Sequence, residues 1–379
     1  MAVETGEVQD LVDFQAPEGF VVTSFYLNVN AGEFPSQDLL DTSFDSTIHT
    51  AESIRKDIEG DMSHEARESV RDDLAKIRDF YGSLDRQDTN GVAIFSCSAH
   101  GLWQGFQMPT QVQSRVEFGP KPYVAPLASF LSHTKPTAIL VTDKQNARIF
   151  TMKHGEVREW TSFEDFVPQR SSQGGWSQMR YQRRSDNFQQ HHIDRGAELI
   201  FELDKHYPFD WLVVGTQQDK ENQVVESLHP YVKDRVIGFI HVRIDADEQE
   251  ILDEARRVRE EAEAHLIDDL IGRIQEYAGA GGKGTIGLKE TLEALNAQKV
   301  HILLVEQGTH APGGVCENCE FLTLGDSETC PACGGQVRTV DNVVDLAIQR
   351  AMELGARVEI ATEFEKLKPI ENVGSVMYY

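Results

Sequence analysis

The order of apolar and polar positions predicts alternating strands and helices at the start of the chain. A run of β-branched and aromatic residues over 20–29 predicts a buried strand. Between about residues 45 and 84, apolar residues recur at three- and four-residue spacing, as on one face of a helix. Two further apolar runs, 92–97 and 103–106, predict a pair of strands. We therefore expect an α/β N-terminal domain over residues 1–125.

A proline-dense segment over 120–126 predicts the first domain boundary, because proline and the residue before it disfavour regular structure. Four apolar runs predict the strands that follow it: 138–143, 147–152, 211–216 and 236–242. The first two flank a polar Lys-Gln-Asn turn and predict a hairpin. A helical pattern through 193–201 precedes the last two. This alternation predicts a mixed sheet covered by helices, in a middle domain over 126–278.

A long charged helix with an apolar stripe is predicted over 248–277. The glycine-rich segment 278–284 ends this helix. It lacks the register of a phosphate-binding loop, so we interpret it as a hinge. The C-terminal domain, 285–379, again alternates helix and strand patterns. Its helices are predicted around 288–295 and 343–354, and its strands at 300–305, 357–361 and 373–379.

The net charge limits the classes of function. The chain has 379 residues, with 36 Lys and Arg against 62 Asp and Glu, a net charge of −26 at pH 7. Phosphate repels such a surface, so the charge argues against broad, nonspecific nucleic-acid binding. No run approaches the roughly 20 apolar residues of a membrane span, and the acidic N-terminus lacks a secretory signal pattern. We therefore expect a cytoplasmic protein without membrane contact.

Four of the five cysteines form two Cys-x-x-Cys pairs that are ten residues apart. Four thiolates at this spacing can surround Zn²⁺ tetrahedrally, at about 2.3 Å from the ion. Such a closed shell leaves no position for water, so the predicted zinc is structural. The predicted ligands, in an insertion over 313–336, are Cys316, Cys319, Cys330 and Cys333, with His310 as a conceivable substitute. The fifth, Cys97, lies in an apolar run and is expected to be a core residue.

Residues 169–195 carry a charge opposite to that of the whole chain. They contain five arginines and two aspartates, a local charge of +3. Small polar residues and a Gly-Gly pair predict an exposed loop, and the arginine-rich run from Met179 predicts a helix directly after it. The composition leaves two interpretations open. The stretch is either a cationic probe for a phosphate-rich environment or a solvated surface loop.

One motif in this stretch resembles a known family. The order Gly-Gly-x-Ser-x-x-Arg-aromatic-x-Arg is similar to the loop of the archaeo-eukaryotic peptide chain release factor and Pelota superfamily, in its bacterial branch. The matching positions are Gly174, Gly175, Ser177, Arg180, Tyr181 and Arg183. Release factors of this superfamily read Gly-Gly-Gln here, and their Gln positions water against the ester of peptidyl-tRNA.

The sequence departs from that motif at one position. Trp176 stands at the Gln position, and Gln178 follows two residues later. The loop therefore resembles the variant loops of bacterial relatives and of eukaryotic quality-control peptidyl-tRNA hydrolases more than that of a conventional stop-codon release factor.

The resemblance implies an α/β protein of three domains. A divergent α/β N-terminal domain would precede an RNase H-like middle domain that carries the loop. An L30e-like C-terminal domain with a four-cysteine zinc mini-domain would follow. The N-terminal domain lacks the Asn-Ile-Lys-Ser motif by which eukaryotic factors read stop codons, so codon recognition is not expected. An RNase H-like fold also raises nuclease activity, but the candidate carboxylates show no common spacing: Asp143, Asp186, Asp210 and Asp245.

The first functional expectation is a ribosome-associated factor that hydrolyses peptidyl-tRNA to release or rescue nascent chains. In this interpretation water is the nucleophile, and the catalytic residues are Gly174, Gly175, Trp176 and Gln178. The RNA-binding residues implied by the resemblance are Arg170, Ser177, Arg180, Tyr181, Arg183 and Arg184. The expected partners are rRNA and peptidyl-tRNA in or near the A site, with a translational GTPase as a candidate delivery protein.

Two alternatives stay open. Pelota-like rescue factors and the hibernation factor Balon occupy the A site without catalysis, and Trp176 at the Gln position favours such a role. Ser177, Gln178 and the series of arginines favour hydrolysis, since a steric plug has less need of them. The acidity of the chain by itself favours a third class, a zinc-ribbon scaffold that acts away from ribosomes.

Overall fold

The computed structural model describes residues 5–86, 89–133, 135–153, 156–166, 178–280, 282–362 and 365–378. By its internal contacts the chain divides into two units. The first unit combines Met1–His133 with Leu270–Tyr379, and the second unit is Thr134–Asp269. Among the residues described, no helix is both long enough and apolar enough to cross a membrane.

The N-terminal part of the first unit is a four-stranded antiparallel sheet with helices. Its elements are α1 (Thr5–Asp13), β1 (Val22–Asn28), α2 (Gln37–Ile58), α3 (His64–Gly82), β2 (Gly91–Cys97), β3 (Leu102–Met108), β4 (Arg115–Gly119) and α4 (Ala125–His133). The strand order is β3-β2-β1-β4. The predicted strand at 20–29 and the predicted strand pair are confirmed, since β2 and β3 are antiparallel neighbours. Cys97 is fully buried, as expected.

The helical pattern over 45–84 corresponds to two helices rather than one. A short 3₁₀ turn, Glu59–Asp61, follows α2. Ser63 then caps α3, because its hydroxyl accepts a hydrogen bond of 3.1 Å from the N–H of Ala66. The cap satisfies a donor that the first helical turn leaves unpaired, and it fixes where the second helix begins.

A buried carboxylate ties α3 to the N-terminal sheet. Asp73 has no exposed surface. Its oxygens accept hydrogen bonds from the hydroxyls of Thr23 at 2.9 Å and Ser96 at 2.6 Å. They also accept from the N–H and the hydroxyl of Ser98, at 2.8 and 2.6 Å. These donors satisfy a charge that would otherwise be costly to bury.

The second unit is a mixed five-stranded sheet of order β7-β6-β5-β8-β9. The elements that begin in it are β5 (Thr137–Thr142), β6 (Asn146–Lys153), β7 (Glu156–Glu164), α5 (Gln178–His206), β8 (Trp211–Gly215), α6 (Glu221–Ser227), α7 (Pro230–Lys233), β9 (Val236–Ile240) and α8 (Glu248–Ala280). The strands β5, β6 and β7 pair antiparallel, whereas β8 pairs parallel with β5 and β9. The predicted hairpin and the predicted mixed sheet are confirmed.

Alternate residues of the central strands face two helices. On one face, Leu140 and Val214 share a core with Ile193 and Ile200 of α5. On the other face, the next residue of β5, Val141, shares a core with Ile251 and Val258 of α8. The two side-chain directions of a strand explain this division. Gly238 of β9 is required by close approach, because a Cβ there would lie 2.7 Å from Val258.

The C-terminal part of the first unit contains two sheets. Its elements are β10 (Gly284–Ile286), α9 (Leu288–Asn296), β11 (Val300–Glu306), β12 (Gly313–Cys316), β13 (Leu322–Leu324), β14 (Val337–Val340), α10 (Val343–Glu353), β15 (Arg357–Ala361) and β16 (Val373–Met377). The larger sheet has the order β10-β16-β11-β15, and the smaller has the order β13-β12-β14. The predicted helices and strands of this region are confirmed.

The helix α4 follows the proline-dense segment and packs in the C-terminal core. Its residues Ala125 and Ala128 share that core with Leu295 and Val344. Pro126 is compatible with a helix at this point, since the first turn of a helix does not use its N–H groups. The domain bounds 1–125, 126–278 and 285–379 stay predictions.

Replacing Asp73 with alanine should destabilise the first unit. The variant leaves the buried hydroxyls of Thr23 and Ser96 and the half-buried donors of Ser98 without this acceptor, so we expect a loss of about 2 to 4 kcal/mol. Urea unfolding followed by circular dichroism measures it. The control is Asp72→Ala on the exposed face of the same helix, for which about 0.5 kcal/mol or less is expected. Equal losses in the two variants would refute the role of the buried carboxylate.

Candidate functional site

The Gly-Gly loop lies between the edge strand β7 and the helix α5. The structure describes the chain as far as residue 166 and again from residue 178. Five candidate residues fall outside the described residues: Arg170, Gly174, Gly175, Trp176 and Ser177. Their roles stay predictions.

The start of α5 carries an unusual charge for a helix. The helix predicted after the glycines is confirmed, and its first turns include Gln178, Arg180, Tyr181 and Arg184, whose side chains are outside the description. The side chain of Arg183 is exposed. The first turn contains no acidic residue. A helix N-terminus already carries about half a positive charge, so the arginines here favour an external anion.

A hydrogen-bonded group joins the middle of α5 to the ends of two strands. The Nδ1 atom of His192 lies 2.8 Å from Oδ2 of Asp165, just after β7. Its Nε2 atom lies 3.2 Å from the hydroxyl of Thr142, the last residue of β5. The His192 side chain has no exposed surface. This group was not predicted from the sequence, although a histidine beside Ile193, on the apolar face of the helix, was a signal.

Asp165 also binds a second side chain of α5. The guanidinium of Arg195 donates to its Oδ1 atom at 2.7 Å. Burial by itself raises the pKa of Asp165, but the hydrogen bonds from His192 and Arg195 outweigh burial and lower that pKa. Arg195 also lies over the ring of Phe163 on β7, 4.4 Å from its centroid, and the His192 ring lies 5.1 Å from the same centroid. The end of β7 therefore holds α5 by charge, hydrogen bonds and ring contacts.

The four predicted cysteine ligands lie together in the smaller C-terminal sheet. Their sulfur atoms are all within 4.8 Å of one another. The sulfurs of Cys316 and Cys333 are 3.4 Å apart, and those of Cys319 and Cys330 are 3.6 Å apart. Sulfurs at about 2.3 Å from a tetrahedral ion are about 3.8 Å from each other, so this group fits one metal ion. His310 is exposed and does not belong to the group.

Both turns of the cysteine group use the same backbone hydrogen bond. The carbonyls of Cys316 and Cys330 accept at 2.9 Å from the N–H groups four residues later. In each turn a further N–H donates to a sulfur at 3.4 Å, from Asn318 to Cys316 and from Gly335 to Cys333. A Cβ at Gly335 would lie 3.2 to 3.3 Å from the sulfurs of Cys333 and Cys316, so a larger residue there would require these neighbours to shift by a few tenths of an ångström.

The crowded sulfurs differ in acidity. The Asn318 amide and the Gly335 N–H donate to Cys333 and lower its pKa to about 6. The N–H of Phe321 by itself lowers the pKa of Cys319. Hydrogen bonds from the Cys319 thiol to the neighbouring cysteine sulfurs outweigh it and raise that pKa to about 12. Metals bind the thiolate form, so a cation would displace the protons that these thiols share.

The nuclease candidates do not form a metal site. In the described ranges, the four cysteines are the only group of three or more His, Cys, Asp or Glu placed to hold an ion. Asp143 instead accepts hydrogen bonds from the N–H groups of Gln145 and Asn146, at 2.8 and 2.7 Å, in the β5–β6 turn. Asp245 pairs with Arg243 at 2.7 Å.

Residues 122–260 match the model of a protein family, bacterial archaeo-eukaryotic release factor family 10. The match runs from before β5 to within α8, so it contains the Gly-Gly loop and the helix α5 after it. Over this segment the chain is similar to bacterial archaeo-eukaryotic release factors. The resemblance found in the loop motif is thereby confirmed for the family.

The release-factor-like chain is similar to curated archaeal proteins named peptide chain release factor subunit 1. It is 22% identical over 269 residues to that of Methanococcoides burtonii, covering 64% of this chain and 65% of the relative. It is 24% identical over 260 residues to that of Thermococcus sibiricus, covering 62% and 63%. The chain thus spans slightly less than two thirds of the length of these relatives.

Solved structures are similar to the release-factor-like chain at low identity. The archaeal translation termination factor aRF1 is 14% identical, with 99% of this chain and 96% of that chain covered and a TM-score of 0.26. Archaeoglobus fulgidus Pelota is 15% identical, with coverages of 76% and 79% and a TM-score of 0.31. Archaeal Pelota, in a ribosome-bound model with ABCE1, is 14% identical, with coverages of 74% and 72% and a TM-score of 0.40.

Proposed function

We propose that this protein is a ribosome-associated translation factor that hydrolyses peptidyl-tRNA through its Gly-Gly-Trp-Ser-Gln loop. One observation carries the proposal. A helix with Arg180 and no acidic residue in its first turn directly follows the loop, inside the segment that matches the release-factor family. Release or rescue of nascent chains is the reaction proposed for it.

The electrostatics support an RNA partner for this one region. The whole chain has a net charge of −26, so most of its surface repels phosphate. Residues 169–195 reverse that sign locally. Arg170, Arg180, Arg183 and Arg184 would bind rRNA or tRNA phosphates, to which guanidinium groups can donate two hydrogen bonds at once. Ser177 and Tyr181 would add polar and stacking contacts to RNA.

The proposed chemistry needs a positioned water and no side-chain nucleophile. Gly174 and Gly175 give the backbone conformational freedom at the loop. Gln178, or a backbone amide near Trp176, would orient water against the ester carbonyl. Trp176 would stack on a base or on the terminal adenosine of tRNA. Peptidyl-tRNA in or near the A site is the proposed substrate, and a translational GTPase is the proposed delivery partner.

A second function is favoured by one residue. Trp176 stands where release factors of the family carry the catalytic Gln, so the loop could occupy the A site without cleaving the ester. This non-catalytic role, in rescue or hibernation, uses the same arginines and the same partner. The two functions differ in whether Gln178, or a backbone amide near Trp176, positions water against the ester.

We also propose that the four cysteines bind one structural Zn²⁺. The all-sulfur donor set, the fit of the distances and the thiolate-stabilising amides support it. When bound, the ion would close its shell with Cys316, Cys319, Cys330 and Cys333 and hold the small sheet together. Its role would be folding rather than catalysis, because no ligand position is left for water.

The hydrolysis proposal is tested on stalled ribosome–nascent-chain complexes, with peptidyl-tRNA followed on a gel. We expect Gln178→Ala to slow ester cleavage by about 100-fold, as when one positioning group is lost from a hydrolytic site. Co-sedimentation with ribosomes should be unchanged. Gln182→Ala, one turn further along α5, is the matched control and should cleave normally.

The other outcomes of this assay separate the functions. Co-sedimentation without cleavage by the wild-type protein selects the non-catalytic role. If Gln178→Ala cleaves at the wild-type rate, the water is positioned by Trp176 or by the backbone. The variant Trp176→Ala then tests the role of Trp176. A wild-type protein that does not bind ribosomes at all contradicts both functions.

The zinc proposal predicts one zinc ion per chain by mass spectrometry. Cys330→Ser should lower the bound zinc at least about tenfold, since each thiolate is part of a closed shell. Amide exchange in β12, β13 and β14 should then increase. Cys97→Ala, at a cysteine outside the group, should keep the metal. A folded wild-type protein without any metal would refute this proposal.

A further inference from the structure

Three polar side chains from separate elements meet inside the second unit. Asp165, His192 and Thr142 form a chain of hydrogen bonds of 2.8 and 3.2 Å. The order carboxylate, imidazole and hydroxyl is also the order of a hydrolytic triad. However, Thr142 is 6% exposed and the His192 side chain is not exposed at all. A substrate cannot reach the hydroxyl, so a role as nucleophile is excluded.

We propose that Asp165 and His192, with Thr142, are positioning residues that clamp α5 to the sheet at the base of the Gly-Gly loop. Asp165 lies just before residue 166, the last residue described before the loop. His192 lies on the helix that follows the loop. The hydrogen bond between them therefore joins the two chain segments that enter and leave the loop. The clamp itself is independent of the proposed function, whereas its effect on ribosomes rests on that function.

The positions of the hydrogen atoms fix the orientation of the His192 ring. A carboxylate can only accept, so Nδ1 of His192 carries the hydrogen of the bond to Asp165. The other ring nitrogen is used by the Thr142 hydroxyl. With both nitrogens occupied and Phe163 against its ring, the imidazole has one orientation. Arg195, one turn along, donates to the second oxygen of Asp165. Two side chains of α5 thus bind one carboxylate, each at a different oxygen atom.

The length of α5 explains why such a clamp matters. Gln178 begins the helix and His192 follows 14 positions later, a rise of about 21 Å along the axis. A rocking of about 3° at the clamp would move the start of the helix by about 1 Å over that length. A misplacement of about 1 Å can cost a catalytic arrangement 100-fold in rate. The clamp restricts this rocking from the side of β7.

A second contact restricts the opposite side of the helix. Gln190 donates to the Ser227 hydroxyl of α6 at 2.9 Å and accepts from Gln223 at 2.7 Å. These two contacts are hydrogen bonds between uncharged groups. The ionised Asp165 gives stronger, charge-assisted bonds, so we assign the larger share of the restraint to the clamp.

Amide hydrogen exchange of the full-length protein, read by mass spectrometry, tests the clamp without ribosomes. His192→Ala should speed exchange in peptides from 180–192 at least about tenfold, because α5 loses its restraint there. Peptides from β8 should keep the wild-type rate. The matched control is His191→Ala, the exposed histidine next to it, which should behave as wild type. Equal exchange in the two variants overturns the proposal.

Conservative variants separate positioning from a general loss of folding. His192→Asn keeps a donor and Asp165→Asn keeps an acceptor, so both should fall between wild type and alanine in the exchange of 180–192. If His192→Ala also speeds exchange in β8, the unit has unfolded, and Asp165→Ala then decides. Asp165→Ala with wild-type exchange in α5 overturns the clamp.

The effect on function is read in a separate assay. The same variants are tested for ribosome co-sedimentation and for peptidyl-tRNA cleavage. A loss of either activity by at least about tenfold in His192→Ala, beside a normal His191→Ala, supports the coupling of clamp and loop. Faster exchange with wild-type activity overturns the coupling. If wild type itself does not bind ribosomes, the proposed function fails while the exchange result still decides the clamp.

Discussion

The start of α5 is the constraint on which this account depends. Arg180, Arg183 and Arg184 follow a helix N-terminus without a single acidic residue in its first turn. The helix dipole and the side chains have the same sign there, so the arrangement costs stability in isolation. The rest of the chain has an excess of carboxylates, so the sign of the charge is reversed in this segment. An anionic partner outside the protein is the simplest source of compensation, and RNA phosphate has the required charge density.

The rest of the second unit supports this helix. Ile193, Ile200 and Leu203 bury one face of α5 against the central strands, and the opposite face of the same strands packs against α8. The sheet is therefore a rigid base for a cationic helix start. The clamp of Asp165 and His192 fixes the helix at the point where the chain enters the loop. A motif that must reach a reaction centre needs such a base, because loops by themselves position groups poorly.

The sequence predicted most elements whose hydrophobic pattern is local. Strands such as β5 and β11 are short apolar runs, and α5 and α10 show clear helical periodicity. The helix α4 was missed, because Pro126 was interpreted as part of a linker although proline suits a first helical turn. The four cysteines were found because their spacing encodes their geometry. The clamp and the buried Asp73 were not, since Asp165 and His192 are 27 residues apart and Asp73 and Thr23 are 50 apart. A hydrophobic pattern over a few residues does not predict hydrogen bonds between side chains so far apart in the sequence.

The most direct test of the central claim is the salt dependence of ribosome binding by the full chain. We expect the affinity to fall steeply with potassium chloride. The triple variant Arg180→Ala, Arg183→Ala, Arg184→Ala should reduce the slope of log affinity against log salt by about 2 to 3, at about 0.7 to 0.9 per phosphate contact. A control triple at Arg243, Arg256 and Arg257, exposed arginines that pair with carboxylates, should keep the wild-type slope. Equal slopes for wild type and the α5 variant would contradict the account.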